Sequence, residues 1–271
     1  MTRVIFLDLD ETLIAQEKAF ALAYQSVATL ATKVVDVDRD SLAEFIPVVA
    51  ASCFDKLAVA GLVRRCRFGG RDVLWGDPSG DSEVLRQLTA VAPAYRKDVW
   101  STLLAKHSIT DPALAESLDA CFRHEMTTKM TAFDEVEQVL TNLRQNYRLA
   151  IITNGMPAAQ QAKLQRLGLN NHFETLIASA DIGVGKPAGE IFRHALAVMR
   201  VGAHEAIMVG DSWDGDIIGA RREGMNACWV RRDDADPMAN TEGTPIISDL
   251  SSLIALLQSP PAREPSRIIA S

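Results

Sequence analysis

Two carboxylates two positions apart follow an apolar run near the start of the chain. The run is VIFL, residues 4–7, and it continues directly into DLDET, residues 8–12. Closely spaced carboxylates at the end of a buried strand repel each other, so folding alone rarely favours them. A cation between them removes the repulsion. Asp8 and Asp10 are therefore candidates for metal binding and for chemistry that uses a carboxylate.

Further polar clusters stand at the ends of other predicted strands or just before a helix. They are Thr153-Asn154-Gly155, Lys186, and Gly210-Asp211 with Asp216. In a doubly wound sheet, ligands bind beyond the carboxyl ends of the strands. Each cluster alone also fits a structural role, because a strand-end Asp is often a helix cap and a TNG turn is common. Their order and shared position favour a functional site.

The residue types in these clusters point to phosphoryl transfer. Carboxylate oxygens from Asp8, Asp10 and Asp211 suit Mg²⁺, which retains several of its waters. A carboxylate beside such a cation can attack phosphorus and form an aspartyl phosphate. Lys186 would neutralise charge on the phosphoryl oxygens. The Thr153 hydroxyl and the backbone N–H groups of its turn can hold a phosphate.

The elements that must position these residues follow two patterns. Residues 3–9 predict a buried strand, and four segments between about 16 and 125 carry apolar residues at helical spacing. Within the helical part, residues 67–81 collect Gly, Pro and Asp, which predicts a loop. From about residue 133 helices alternate with strands, which indicates right-handed crossovers and a parallel sheet.

A helical block is thus predicted to be inserted into an α/β unit. We expect residues 1–15 and 130–258 to form the core and residues 16–129 to form the inserted block. The Pro-rich tail, residues 259–271, is expected to be largely disordered.

With its four motifs in this order, the sequence resembles the haloacid dehalogenase superfamily of aspartate-nucleophile phosphotransferases. The motifs are DLDET, the threonine of IITNG, the lysine of GVGKP, and GDSWDGDI. The resemblance covers nearly the whole chain. It implies a Rossmann-like, doubly wound parallel sheet as the core. It also implies that the inserted block is an all-helical cap domain that closes over the site.

The resemblance implies a role for each matched residue. Asp8 would be the nucleophile and a metal ligand. Asp10 would protonate the leaving oxygen and then activate water, while its backbone carbonyl binds the metal. Lys186 would orient Asp8 and neutralise the phosphoryl group, and Asp211 would bind Mg²⁺. The other matched residues would hold the phosphate (Thr153 and Asn154), contact metal-bound water or the lysine (Asp216), and order the first loop (Thr12).

The residue at the position of Asp10 distinguishes the reactions that different branches of the resembled family catalyse. Its dehalogenases lack an acid at this position, because halide leaves without a proton, whereas an alkoxide needs one. Its phosphonate-cleaving branch also lacks this Asp. The sequence therefore predicts hydrolysis of a phosphate ester. Two departures from the pattern are Gly215, where many relatives have Asn, and the absence of Pro near Phe133, where the chain returns to the core.

Substrate specificity is expected to reside in the cap. Arg71 and Trp75 are candidate specificity residues, since the arginine could meet a second anionic group and the tryptophan could stack on a base or sugar. A surface loop with a packed tryptophan is the alternative. Residues 16–18 adjoin the first motif and are a further candidate region. The expected substrate is a small phosphorylated metabolite, of the sugar phosphate, nucleotide, flavin mononucleotide or phosphoglycolate class.

Composition and residue patterns argue against several other classes of protein. The net charge of −7 argues against a nucleic acid polymer as partner. The four cysteines have no zinc spacing, and no segment approaches the roughly 20 apolar residues of a membrane helix. The N-terminal residues do not resemble a signal peptide. We expect a cytoplasmic monomer or homodimer with no membrane association.

Two alternatives use the same site. A phosphosugar mutase would need a cap that retains a phosphorylated intermediate while it turns over. A non-catalytic phospho-ligand-binding protein would be expected to lack a key acid or the lysine, and none is missing here. A phospho-signalling receiver domain shares the residue types, but it is about half as long and has no helical insertion.

Overall fold

Six parallel strands form the central sheet of the computed structural model, which describes residues 2–232 and 243–258. In the sheet they are ordered β3-β2-β1-β4-β5-β6. The strands are β1 (Val4–Leu7), β2 (Arg148–Thr153), β3 (Thr175–Ala178), β4 (Ala206–Gly210), β5 (Asn226–Val230) and β6 (Ile246–Ile247). The order reverses between β1 and β4, which is where doubly wound sheets bind ligands. The predicted α/β class and Rossmann-like sheet are confirmed.

Both faces of the sheet are covered, so β1 is apolar at every position. Its residues alternate between two hydrophobic cores. Ile5 and Leu7 face the core that continues into the inserted helices, and Val4 and Phe6 face the core that contains Phe192. Strand pairing places Leu7 level with Ile151 of β2 and Val209 of β4, so the carboxyl ends of the three strands lie side by side.

Seven helices lie between β1 and β2, and the first six precede residue 130. These six are α1 (Gln16–Ala31), α2 (Arg39–Phe54), α3 (Ala60–Arg65), α4 (Gly70–Trp75), α5 (Glu83–Ala105) and α6 (Pro112–Lys129). Helix α1 packs mainly against α6, where the rings of Phe20, Tyr24 and Phe122 stack with centroids 5.5–6.4 Å apart. These helices share one hydrophobic core with one face of the sheet.

The remaining helices flank the strands. They are α7 (Val136–Leu143), α8 (Pro157–Arg166), α9 (Ser179–Ile182), α10 (Gly189–Met199), α11 (Gly219–Arg222) and α12 (Ser251–Gln258). Two 3₁₀ turns, Asn170–His172 and Ala203–Glu205, and a π-helical turn, Trp213–Ile218, complete the chain. No helix among the described residues has both the length and the apolarity needed to cross a bilayer.

Residues 67–81 are more ordered than the predicted loop. Helix α4 forms at residues 70–75 because Gly69 is extended before it and the Asp72 carboxylate accepts a hydrogen bond from the Gly69 N–H at 2.9 Å. Val73 and Leu74 then bury completely. Gly and Asp had indicated a turn, but here they cap a short helix. The predicted tail, residues 259–271, lies outside the described residues.

Candidate active site

Asp8 lies where the carboxyl ends of β1, β2 and β4 are side by side. Asp8 directly follows β1, and its N–H donates to the Val209 carbonyl of β4 at 2.9 Å. Thr153 is the last residue of β2, and Asp211 follows β4. The in-register parallel strands therefore bring three of the predicted site residues to one edge of the sheet.

A buried lysine joins two of the carboxylates. Lys186 Nζ lies 2.5 Å from Asp8 Oδ1 and 2.7 Å from Asp216 Oδ1. It also donates to the Ile152 carbonyl at 2.8 Å. Lys186 is only 4% exposed, and Asp216 is fully buried. Charged groups at this depth need such partners, because water no longer solvates them.

Burial and neighbouring charge shift the pKa values of these groups. Burial raises the pKa of Asp8 well above its ordinary value; Lys186 opposes this shift, and the charges of Asp216 and Asp211 add to it. Burial alone would lower the pKa of Lys186, but Asp216 and Asp8 outweigh it and raise that pKa. Lys186 therefore remains protonated, and its single positive charge does not balance the charges of the nearby carboxylates.

Thr12 connects the loop after β1 to the loop after β4. Its hydroxyl donates to Asp211 Oδ1 at 2.9 Å and accepts from the Asp211 N–H at 3.0 Å. Asp211 is also held through its carbonyl, which accepts from the Trp229 indole at 2.7 Å. Burial raises the pKa of Asp211, and the charge of Asp216 raises it further. The two hydrogen bonds tie the loop that contains Thr12 to the loop that contains Asp211.

Asp8, Asp211 and Asp216 form a cluster that fits a divalent cation. One carboxylate oxygen from each residue lies within 4.8 Å of the others. Lys186 can neutralise only one of these three negative charges. Hard oxygen donors that retain excess negative charge are suited to Mg²⁺. The carboxylate of Asp10 is not part of this cluster.

The site opens into a cavity of about 330 Å³. Phe68 is the one apolar side chain of its lining among the described residues. The lining comprises Asp8, Asp10, Glu11, Gln16, Glu17, Arg67, Phe68, Arg71, Asp72, Thr153, Asn154, Lys186, Asp211, Ser212 and Gly215. The cavity therefore offers a polar ligand many hydrogen-bonding groups.

A model of the haloacid dehalogenase-like hydrolases matches residues 2–224. The chain belongs to this family. It is 31% identical over 220 residues to the phosphoserine phosphatase of Thermus thermophilus, a match that covers 73% of this chain and 87% of that protein. It is 33% identical over 141 residues to the pyrimidine 5′-nucleotidase YjjG of Escherichia coli, covering 52% of this chain and 63% of YjjG, slightly less than two thirds.

A solved structure agrees on the fold. The magnesium-bound HAD-hydrolase YfnB of Bacillus subtilis superposes with a TM-score of 0.62 at 21% identity, covering 95% of this chain and 99% of that one. At this identity the likeness is evidence for the fold alone.

Two residues of this haloacid dehalogenase-like site were not found from the sequence. Lys163 Nζ lies 2.6 and 2.8 Å from the two carboxylate oxygens of Asp10 and also bonds Gln16 Oε1. Gln160 Nε2 donates to Asp10 Oδ2 at 3.0 Å and to Thr153 Oγ1 at 2.7 Å. Both side chains come from α8 and are almost fully buried. Their signal was two polar residues three apart on a helix that follows the TNG turn.

Asn154 braces the lysine segment. Its Oδ1 accepts from the Lys186 N–H at 2.8 Å, and its Nδ2 donates to the Lys186 carbonyl at 3.2 Å. Both ends of the amide are therefore engaged by backbone, although Asn154 still lines the cavity. The side chain is arranged to fix the position of Lys186.

The two candidate specificity residues occupy different places. Arg71 lines the cavity; it forms two hydrogen bonds with Glu17, at 3.0 and 2.5 Å, and its guanidinium lies 4.7 Å from the Phe20 ring centroid. Trp75 is not part of the lining. Its ring centroid lies 5.5 Å from Lys163 Nζ. Of the two, only Arg71 faces the cavity directly.

Proposed function

We propose that this hydrolase is a Mg²⁺-dependent phosphatase that cleaves a small phosphomonoester through an aspartyl phosphate on Asp8. The observation that supports this most is the ion pair of Lys186 with Asp8 and Asp216 beside Asp211, at the carboxyl end of the central strand. This arrangement combines a carboxylate nucleophile, a fixed cation and a cluster suited to a divalent metal.

Asp8 and Asp211 would hold the cation, together with the backbone carbonyl of Asp10, and Asp216 would orient Lys186. Bound there, Mg²⁺ would offset the repulsion among the carboxylates and stabilise negative charge on the phosphoryl oxygens. Removal of that repulsion leaves Asp8 ionised, although burial alone raises its pKa.

The first step transfers the phosphoryl group to the protein. A carboxylate oxygen of Asp8 attacks phosphorus, and the bond from phosphorus to the leaving oxygen breaks. Asp10 gives its proton to that oxygen, which departs as an alcohol. Lys186 and the Thr153 hydroxyl contact the phosphoryl oxygens as charge moves onto the leaving group.

The second step restores the enzyme. Asp10, now a carboxylate, takes a proton from water as the water oxygen attacks phosphorus. The bond between phosphorus and the Asp8 oxygen breaks, which releases inorganic phosphate and regenerates both residues. Lys163 and Gln160, which contact the Asp10 carboxyl group, would position it in both steps.

The substrate is proposed to be small and polar, because the cavity lies at the lower end of the roughly 300–1,000 Å³ typical of ligand sites. Helices α1–α6 act as the cap that closes over it. The names of the relatives add phosphoserine and pyrimidine nucleotides to the candidates. Sugar phosphates and phosphoglycolate fit the cavity size better than flavin mononucleotide.

Phosphate release from a panel of these esters, with Mg²⁺ and with EDTA, tests the proposal. We expect release that requires the metal and that Asp8→Asn abolishes while the fold is retained. No release from any ester by a folded, Mg²⁺-binding protein would contradict the phosphatase assignment and favour a mutase or a binding role.

A further inference from the structure

The segment 65–67, at the end of α3, is fixed against the catalytic edge of the sheet. The Gly185 N–H donates to the Arg65 carbonyl at 2.9 Å, and the Ser179 hydroxyl donates to the Cys66 carbonyl at 2.6 Å. Ser179 in turn accepts from the Gly155 N–H of the TNG turn at 2.9 Å. The inserted helices therefore contact the core one residue away from Lys186.

This contact depends on the absence of a side chain at residue 185. A Cβ added to Gly185 would fall 2.6 Å from Asn154 Oδ1 and still closer to the Cys66 carbonyl oxygen. Real Cβ atoms do not approach other atoms so closely. The positions of residues 65 and 66 are thus set by contacts with Gly185 and Ser179, and the residue that follows them is held at a defined place on the cavity wall.

That next residue, Arg67, has a backbone conformation that arginine rarely adopts. Its φ is 62°, in the left-handed region, whereas most non-glycine residues avoid positive φ. Such residues concentrate at ligand sites, where the surrounding structure holds them. Arg67 is exposed and lines the cavity.

The other cations of the cavity wall already have carboxylate partners. Lys186 pairs with Asp8 and Asp216, and Arg71 pairs with Glu17. The Arg67 guanidinium, in contrast, makes no hydrogen bond or ion pair with any residue in the ranges 2–232 and 243–258. It is therefore a cation of the wall that a ligand can engage without breaking an existing pair.

A basic groove of about 580 Å³ extends from this point. Arg67 belongs to both the cavity and the groove, and no carboxylate of the described chain lines the groove. Its lining is Gly61, Arg64, Arg65, Arg67, Val184, Gly185, Pro187, Ala188 and Arg222. Of its four arginines, Arg64 is already paired with Asp55. Clustered guanidinium groups attract anions and form charge-assisted hydrogen bonds with carboxylate or phosphate oxygens.

We propose that Arg67 binds a second anionic group on the leaving-group side of the substrate. The substrate class is then a phosphomonoester whose alcohol also carries a carboxylate or a second phosphate. This inference rests on the proposed phosphatase activity. We assign binding of this second anion to Arg67 rather than to Arg71, because Arg71 is already hydrogen-bonded to Glu17.

Three esters whose leaving groups share a two-carbon chain test the inference. They are ethylene glycol monophosphate, phosphoglycolate and ethylene glycol bisphosphate, which differ in having a neutral, carboxylate or phosphate end. We expect the wild-type kcat/KM to be about tenfold to a hundredfold higher for at least one anionic ester than for the neutral one. The anionic ester with the higher kcat/KM shows whether Arg67 binds a carboxylate or a phosphate.

Arg67→Asn should bring that ratio close to one, because asparagine tolerates the left-handed conformation but has no charge. Arg67→Lys should retain part of the preference. Arg144→Asn is the matched control: Arg144 is exposed, it lines neither the cavity nor the groove, and its side chain has no partner among the described residues. Its ratio should equal that of the wild type.

The inference is overturned if wild type shows no preference for either anionic ester, or if Arg67→Asn lowers kcat/KM equally for all three. Failure of the phosphatase proposal would look different, because wild type would then release phosphate from none of the esters.

Discussion

At the scale of single residues, the site is organised by carboxylates that need cations. Asp10 is not left to solvent, because Lys163 contacts both of its oxygens and Gln160 contacts one. An acid and base that must protonate one oxygen and then activate water depends on a fixed position. In the proposed mechanism Lys163 would therefore be a positioning residue, acting through Asp10.

Lys163→Met should lower kcat by about tenfold to a hundredfold, because general acid–base catalysis contributes about 10²–10⁴-fold and a misplaced Asp10 loses part of it. Lys163→Arg should recover some activity, whereas a purely structural defect would not distinguish the two variants. Gln165→Met, on the exposed face of the same helix, is the control. Steady-state kinetics and circular dichroism measure the outcome. Wild-type kcat in Lys163→Met would contradict the role.

Asp211→Asn should stabilise the metal-free protein while it removes the response to Mg²⁺. The pKa of Asp211 is raised in the folded state, so its stabilising contribution is present at low pH and is lost as pH rises through that pKa. At neutral pH the buried charge therefore destabilises the fold. The Asn oxygen can still accept the Thr12 hydrogen bond.

Thermal unfolding at pH 7 measures this effect. In EDTA the variant should melt a few degrees above wild type, since about 1 kcal/mol corresponds to about 2–4 °C for a chain of this size. Adding Mg²⁺ should raise the Tm of wild type but not that of the variant. A lower Tm for the variant in EDTA would contradict this reading of Asp211.

Motif spacing predicted that Asp8, Thr153 and Asp211 lie close together, but it did not reveal the residues that contact Asp10. Asp8, Thr153 and Asp211 lie at the ends of strands. Short apolar runs in the sequence predict these strands, and the carboxyl ends of neighbouring parallel strands lie side by side. Gln160 and Lys163 lie on a helix, and polar helix residues are usually solvent-exposed. Only the tertiary position of α8 turns them toward Asp10.

At the scale of elements, contact between α3 and the core is the feature that sequence patterns did not reveal. No sequence pattern indicated that segment 65–67, just before and at the start of the predicted loop, is held by hydrogen bonds to Gly185 and Ser179. Residues 70–75 likewise form a helix where Gly and Asp predicted a turn. The contacts of segment 65–67 depend on partners more than a hundred residues away, which local propensity cannot include.

Gly185→Ala should destabilise the protein by about 1–3 kcal/mol, as overpacked sites do, because the added methyl meets the Cys66 carbonyl and Asn154. It should also weaken the preference for anionic esters, since Arg67 moves with the displaced segment. Gly61→Ala is the matched control: its Cβ would meet nothing within 4 Å, and alanine favours the α3 helix. Denaturant unfolding compares the two. Equal stability of both variants would show that the close contact is not required.

At the scale of the whole molecule, the chain combines a sheet that could be predicted with an insertion whose geometry could not. Alternating helices and strands determined the parallel sheet, because right-handed crossovers leave few arrangements. Periodicity predicted four helical segments where six helices form, and it did not reveal their packing through Phe20, Tyr24 and Phe122. The cavity lies where α3, α4 and the start of α1 meet the strand ends, so substrate recognition is the least predictable property.

The nucleophilic role of Asp8 is the central claim, and chemical trapping tests it most directly. The protein is mixed briefly with substrate and Mg²⁺, quenched, and treated with borohydride, which reduces an acyl phosphate to an alcohol. Peptide mass spectrometry should then find homoserine at position 8 and unchanged Asp10. Modification at another residue, or none despite rapid turnover and a positive trapping control, would contradict the account.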